Sequence, residues 1–160
     1  MVEMAEKHPF YDRGLRFSCT RCSACCRHDS GFVFLSEEDA GRLISALNMG
    51  KNEFTETFCR WVPSPDGTEQ LSLKEKSNFD CIFWTSDGNC SVYETRPLQC
   101  RAFPFWPSVL SSEEDWEFTA ESCPGIGQGS LVSADSIKKW LALRQNQPII
   151  FRSTERVGEA

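Results

Sequence analysis

Residues 17–27 read Phe17-Ser-Cys-Thr-Arg-Cys-Ser-Ala-Cys-Cys-Arg27 and place four cysteines within eight positions. Five more cysteines follow singly, giving nine in a chain of 160 residues. The number is odd and Met1–Pro9 carries no export signal, so we expect reduced thiols in the cytoplasm. Reduced cysteines this dense predict a metal site. Redox thiols and disulfides are the alternatives, although neighbouring Cys25 and Cys26 would make a strained bridge.

The spacing of the thiols indicates which metals suit them. In the C-x2-C-x2-C pattern of Cys19, Cys22 and Cys25, a looped backbone can aim three thiols at one centre. The same pattern opens the bacterial ferredoxin signature, which a Cys-Pro pair completes, and here Cys123-Pro124 supplies that pair far downstream. C-x2-C pairs also serve zinc, usually as four thiolates around one ion. Eight thiolates therefore predict two centres, or one centre with spare thiols.

The adjacent Cys25 and Cys26 add a constraint. In extended backbone neighbouring side chains point to opposite sides, so the two thiols should not share one ion easily. They would serve two neighbouring centres, or one of them would bridge. The alternative is that Cys26 is a small buried hydrophobic residue.

Composition bounds the class of protein. The chain has 40% hydrophobic and 25% charged residues, which predicts one ordered globular domain over residues 1–160. Its net charge of −6 argues against a surface that tracks nucleic acid. No apolar stretch approaches the roughly 18 residues of a membrane span. A cytoplasmic protein that binds metal ions, with no membrane contact, is the expectation, and the sequence names no protein partner.

The chain begins with a polar N-terminal arm, residues 1–14. The irregular segment without clear periodicity extends to residue 16. Gly31–Leu35 is rich in β-forming residues and predicts a short strand. Ser36 followed by three acids predicts a helix N-terminus, and the helical spacing of apolar residues continues until Gly50 stops it.

A second helix and a hairpin follow. The helix is predicted to start at Asn52 and to bury one face made of Phe54, Phe58 and Trp61. Pro63–Gly67 predicts a turn, and the alternation in Gln70–Lys74 predicts a half-buried strand that pairs across it.

Residues 78–124 combine four cysteines and four prolines with many aromatics and no long periodic stretch. We expect irregular backbone there, held by something other than hydrogen-bonded ladders. Glu113–Asp115 is interpreted as a solvated loop and Gly125–Gly129 as turn material. Ser133 predicts the cap of a last helix that ends before Pro148.

Arginines are concentrated beside the cysteines. Four of them adjoin a cysteine in sequence and two more lie near one: Arg21, Arg27, Arg60 and Arg101, then Arg16 and Arg96. In an acidic protein such cations would lower thiol pKa values and offset the negative charge of a metal–thiolate centre. The alternative is mild enrichment with solvated side chains.

These motifs together resemble the YkgJ-type cysteine-cluster family, also called the CxxCxxCC domain and described as zinc- or iron-chelating. The resemblance rests on four segments in order: Phe17–Arg27, Cys81–Trp84, Asn89–Trp106 and Cys123–Ile126. It covers about residues 15–145, the expected metal-binding core. It implies iron–sulfur or zinc binding. The cluster region of flagellin lysine methylases is similar, but no separate methyltransferase domain is visible, so that activity is not carried over.

Carried over residue by residue, the family pattern implies eight metal ligands: Cys19, Cys22, Cys25, Cys26, Cys81, Cys90, Cys100 and Cys123. Arg96 and Arg101 also match the pattern, and we expect them to support the cofactor by fixing thiolates and screening the centre from water. A rigid turn with aromatic packing is their structural alternative. Cys59 lies outside the pattern and is interpreted as a packed thiol.

The two histidines are weak candidates for metal ligands. His28 is interpreted as exposed or supporting, with replacement of a cysteine ligand as the alternative, and His8 receives no role. The sequence therefore predicts a small single-domain α+β protein with much irregular structure, held together by cysteine-bound metal. Iron–sulfur binding with a redox or electron-transfer role is the favoured function. A structural zinc module for interactions, or an enzyme with a catalytic cluster, are the alternatives.

Overall fold

A computed structural model describes residues 8–154 and has a mixed α+β fold, which confirms the predicted class. The strands and helices follow one another in this order: β1 Leu15–Phe17, α1 Glu37–Leu47, α2 Lys51–Phe58, β2 Cys59–Pro63, β3 Thr68–Leu73, α3 Leu98–Ala102, α4 Glu113–Ala120, β4 Ile126–Val132, α5 Ala134–Asn146 and β5 Phe151–Ser153. Short 3-10 helices cover Ala24–Cys26 and Tyr93–Thr95. Among the described residues, none of the helices has the length and apolar character of a membrane span.

The described chain forms two compact units. Unit 1 contains residues 8–22 and 104–143, and unit 2 contains residues 23–103 and 144–154. The single-domain boundary stays a prediction. Residues 1–7 of the predicted arm lie outside the described range, whereas Phe10 and Tyr11 pack against the core of unit 1 and β1 starts at Leu15.

Unit 2 is built on an antiparallel sheet of order β2-β3-β5. The predicted hairpin is confirmed, because Cys59 of β2 pairs with Leu73 of β3 and the strands are joined across the Pro63–Gly67 turn. A core of buried side chains packs on this sheet: Leu35, Ala40, Leu43, Phe54, Cys59, Leu71, Leu73, Phe83 and Val92.

The predicted strand Gly31–Leu35 is wrong in part. The segment runs beside β3 and forms only an isolated bridge, Phe34 to Ser72. Two backbone amides of this segment donate to side chains and not to the carbonyl groups of a neighbouring strand. The Val33 amide donates to the Ser72 hydroxyl, and the Phe34 amide donates to the Gln99 side chain. These bonds interrupt a regular strand.

Helix α1 begins where predicted. The Ser36 hydroxyl accepts from the Asp39 amide and the Asp39 carboxylate accepts from the Ser36 amide, which is a reciprocal capping box. Its end differs, because Asn48 adopts the left-handed conformation at φ +52° and stops the helix two residues before Gly50. Gly50 instead begins α2.

Helix α2 also ends earlier than predicted. It stops at Phe58, and Trp61 lies in β2 opposite Leu71. Pairing with β3 outweighs the helical spacing of Phe54, Phe58 and Trp61, which sequence alone could not reveal.

Unit 1 contains the two-stranded sheet β1-β4 and helix α4. Its core is formed by Phe105, Val109, Leu110, Trp116, Ile126 and Ile137. Gly125 is required next to β1, because a Cβ there would lie 2.3 Å from the Ser18 carbonyl oxygen. The interpretation of Gly125–Gly129 as turn material is therefore wrong: its last four residues belong to strand β4.

Residues 78–124 hold only short regular elements, as their mixed composition suggested. The solvated loop at Glu113–Asp115 is wrong, since these acids form the first turn of α4 and the Ser112 hydroxyl caps it. The final helix is confirmed as α5, with the Ser133 hydroxyl accepting from the Ser136 amide.

Candidate metal centre

Five thiols of unit 2 come together from four separate segments of the chain. They belong to Cys25, Cys26, Cys81, Cys90 and Cys100. The Cys81 amide donates to the Cys26 carbonyl at 2.7 Å, which ties two of the segments. Burial raises the pKa of the Cys100 thiol, and the negative charge of Cys81, Cys25 and Cys90 raises it further. These thiols are thus close enough to oppose one another's ionisation.

The adjacent Cys25 and Cys26 point to the same side, which corrects the expectation drawn from extended backbone. Ala24–Cys26 is a 3-10 helix, and it brings the two sulfur atoms to 3.7 Å. The hydrogen bond between them lowers the pKa of Cys25 to about 7 and raises the pKa of Cys26. One of the pair is poised to ionise while the other keeps the shared proton.

Backbone amides point at several of the thiols. In three places the thiol accepts from the amide two residues later: Arg21 to Cys19, Phe83 to Cys81 and Val92 to Cys90. Arg21 adopts φ +56°, a left-handed conformation that is uncommon for a residue other than glycine. Such donors favour the thiolate, the form that binds metal, but burial outweighs them at Cys81 and Cys90 and raises the pKa of both thiols.

Two of these donor residues also anchor the thiol segments. Phe83 and Val92 bury their side chains in the core of unit 2, at 4% and 6% exposure. Each therefore fixes its backbone by packing and turns its amide toward the sulfur of Cys81 or Cys90. Sequence analysis missed this role, although the repeated Cys-x-apolar spacing could have indicated it.

The remaining predicted ligands lie in unit 1. Cys19 and Cys22 are exposed, and Cys123 packs in part against the core of that unit. The Ser18 amide donates to the Gly125 carbonyl at 3.1 Å, which joins the segments that carry Cys19 and Cys123. The eight predicted ligands are thus divided between the units, three in unit 1 and five in unit 2.

The thiol groups are assembled but not closed. Within residues 8–154, no three His, Cys, Asp or Glu side chains stand in an arrangement that would hold a metal ion as they are. The donor chemistry fits the expected metals, because thiolates are soft ligands that suit zinc and iron–sulfur centres.

Arg96 is the arginine placed to support the thiols. Its positive charge helps to lower the pKa of Cys25, and it offsets part of the rise that burial causes in the pKa of Cys90 and of Cys100. It donates to the Tyr93 carbonyl, and its guanidinium carbon lies 3.8 Å from the centre of the Tyr93 ring. These contacts fix the guanidinium where thiolate charge would develop.

The other arginines next to cysteines have different partners. Arg27 lies 3.6 Å from the buried Asp80 carboxylate and 4.1 Å from the centre of the Trp84 ring. Arg60 lies 3.3 Å from Glu75. These two arginines were expected to lower the pKa values of thiols, but each forms an ion pair with a carboxylate instead. Arg101 is partly desolvated, and burial lowers its pKa.

Cys59 and the histidines occupy the positions that the sequence suggested. Cys59 is 5% exposed within the core of unit 2, and desolvation raises its pKa to about 12. His28 is exposed and adopts φ +83°. His8 is exposed and lies 3.9 Å from Asp12.

A comparison with known protein families identifies the cysteine-rich part of the chain. The sequence profile of the CxxCxxCC family, described as "Putative zinc- or iron-chelating domain", matches residues 18–124. That range contains all nine cysteines, including the thiol groups of both units. No solved structure matches the chain. On the strength of the family match, the chain belongs to the CxxCxxCC family of zinc- or iron-chelating domains.

Proposed function

We propose that this protein binds an iron–sulfur cluster through cysteine thiolates and acts in the cytoplasm as a redox or electron-transfer protein. The observation that carries the proposal is the group of five mutually interacting thiols in unit 2 with Arg96 beside it. Five thiols exceed the four that one tetrahedral ion takes, which favours a centre with more than one metal atom. All eight cysteines of the family pattern are proposed as ligands.

The chain's own residues have separate tasks in this proposal. The amides of Phe83 and Val92 donate hydrogen bonds to the sulfur atoms of Cys81 and Cys90. Hydrogen bonds of this kind change the reduction potential of a bound iron–sulfur cluster. Arg96 offsets the negative charge of the bound group. Buried Phe83 limits solvent access. When bound, an iron–sulfur cluster supplies one-electron redox chemistry.

A single ion held by thiolates is the second candidate, and one distance favours it. Two thiolates bound at about 2.3 Å on a tetrahedral zinc ion lie about 3.8 Å apart. The sulfur atoms of Cys25 and Cys26 lie 3.7 Å apart. In this alternative the metal is structural, and the protein is an interaction module.

Anaerobic purification from iron-replete cells, with assays of iron, acid-labile sulfide and zinc, tests the proposal. Brown protein with equal iron and sulfide is expected. Colourless protein with stoichiometric zinc and no sulfide would contradict the iron–sulfur assignment and support the second candidate. Aerobic preparations do not decide the matter, because zinc can occupy a vacated iron–sulfur site.

A further inference from the structure

A buried carboxylate organises a second charged group in unit 2. Asp39 of α1 is 0% exposed. One carboxylate oxygen accepts from the Arg42 guanidinium and from the Leu98 amide, both at 2.8 Å, and the other accepts from the Ser36 amide at 3.1 Å. The carboxylate is therefore well supplied with donors, and only one of them is a cation.

Two more arginines interact with the charge of Asp39. Arg101 comes from α3 and Arg144 from the last turn of α5. Neither forms a hydrogen bond with the carboxylate, and the buried Nε of Arg101 and Nη1 of Arg144 have no acceptor within the described chain. Three guanidinium groups thus meet one carboxylate, an excess of two positive charges.

This arrangement is unfavourable without a further anion. Buried N–H groups that have left water are costly when they are unpaired, and more so on a cation. Desolvation lowers the pKa of Arg144, which is consistent with water lost and no equivalent partner gained. The thiols explain the excess only in part, because the charge of Cys100 acts on Arg101 but no thiol acts on Arg144.

We propose that Arg42, Arg101 and Arg144 form a binding site for an oxyanion, the phosphate or carboxylate group of a small molecule. A guanidinium presents N–H donors in a planar fork that matches two oxygens of such a group. The three arginines come from three different helices, so one oxyanion would join them. Because Arg101 follows Cys100 directly, the ligand would bind in the same unit as the five thiols. The site does not depend on which metal they hold.

Calorimetric titration of the full-length, metal-loaded protein with inorganic phosphate or with citrate, at constant ionic strength, tests the site. Saturable binding is expected, and the tighter probe identifies the phosphate or carboxylate source. Arg144→Gln should weaken binding about tenfold or more, since it removes a charge-assisted pair. Arg101→Lys should also weaken it, because lysine keeps the charge but lacks the fork. Arg13→Gln changes the net charge equally at an exposed position and should bind as the unaltered protein does.

Stability and metal content separate this site from the metal centre. Arg144→Gln removes a half-buried cation whose buried Nη1 has no acceptor among the described residues, so its Tm in oxyanion-free buffer should equal or exceed that of the unaltered protein, with unchanged metal content. Absence of saturable binding by both probes would overturn the proposal, as would equal weakening in Arg13→Gln. Loss of metal or a lower Tm in Arg144→Gln would assign the arginine to the metal centre or the fold instead.

Discussion

Residues 35–73 and residues 81–100 of unit 2 differ in what holds their backbone. The first stretch contains α1, α2 and the β2–β3 hairpin, and it buries Leu35, Leu43 and Phe54 completely. The second contains one 3-10 helix, the first three residues of the short helix α3 and several turns, and it carries three thiols. Apolar burial and ladder hydrogen bonds stabilise the first stretch, whereas the second is fixed at a few points.

Phe83 and Val92 show how the two stretches are joined. Both side chains pack in the core that the first stretch builds, and both amides donate to thiols of the second. The first stretch can therefore persist alone, while the second needs its sulfur atoms tied together.

Metal removal should affect the two stretches most unequally. In small metal-dependent domains the bound ion contributes about 10 kcal/mol to folding. After chelation, hydrogen-exchange protection should be lost first at the amides of Cys81 and Ser91, which bond to Cys26 and Phe83. The Leu35 and Leu71 amides should stay protected, and α5 should also persist. Unchanged protection at Cys81 and Ser91 after complete metal removal would contradict the account.

Truncation of the apolar core should destabilise the first stretch, residues 35–73, and leave the metal content unchanged. Phe54→Ala should lower the free energy of unfolding by about 3–5 kcal/mol, since Phe54 is fully buried. Metal content should remain stoichiometric in protein that is still folded, because Phe54 carries no thiol. Urea denaturation with parallel metal analysis makes the measurement. A normal unfolding midpoint would show that the core does not stabilise this stretch.

Removal of the helix cap gives a smaller effect in the first stretch. Ser36→Ala should cost about 1 kcal/mol, because the Asp39 amide loses its acceptor. The change should appear in chemical denaturation and leave visible absorption of the metal-loaded protein unaltered. Ser133→Ala at the start of α5 is a matched control for cap loss outside unit 2.

The buried thiol of the first stretch should give the smallest effect, seen only at alkaline pH. The pKa of Cys59 is raised to about 12, above its value of about 8.5 in an unfolded chain. Its neutral form therefore contributes stability below about pH 8.5, and that contribution falls as the pH rises toward the folded pKa. Between pH 8 and 9.5, the unaltered protein should lose at most about 1 kcal/mol more than Cys59→Ala. Parallel curves for the two proteins would contradict the shift.

Local interactions explain what the sequence could predict. The start of α1 depends on bonds between Ser36 and Asp39, and the β2–β3 turn lies within Pro63–Gly67, so short windows contain the information. The grouping of reduced thiols was also foreseeable, because their number and density suit metal ligands.

Long-range interactions explain what it could not predict. Helix α2 ends at Phe58 because Cys59–Pro63 pairs with β3, and the glycine-rich β4 is a strand because β1 pairs with it from more than a hundred residues away. The 3-10 helix at Cys25 and Cys26 has long-range support as well, because the Cys81 amide donates to the Cys26 carbonyl and the Ser23 hydroxyl donates to the Gly88 carbonyl. The arginines around Asp39 come from three helices, and no local spacing links Arg42 with Arg144.

We expect the eight cysteines of the family pattern to bind the metal and the packed Cys59 thiol not to bind it. Metal per chain, measured by plasma mass spectrometry on anaerobically purified Cys22→Ser, Cys100→Ser and Cys59→Ser proteins, tests it most directly. The Cys22→Ser and Cys100→Ser variants should lose metal, while Cys59→Ser should keep the full amount of the unaltered protein. Full metal in both of the first two variants, or loss in Cys59→Ser alone, would contradict it.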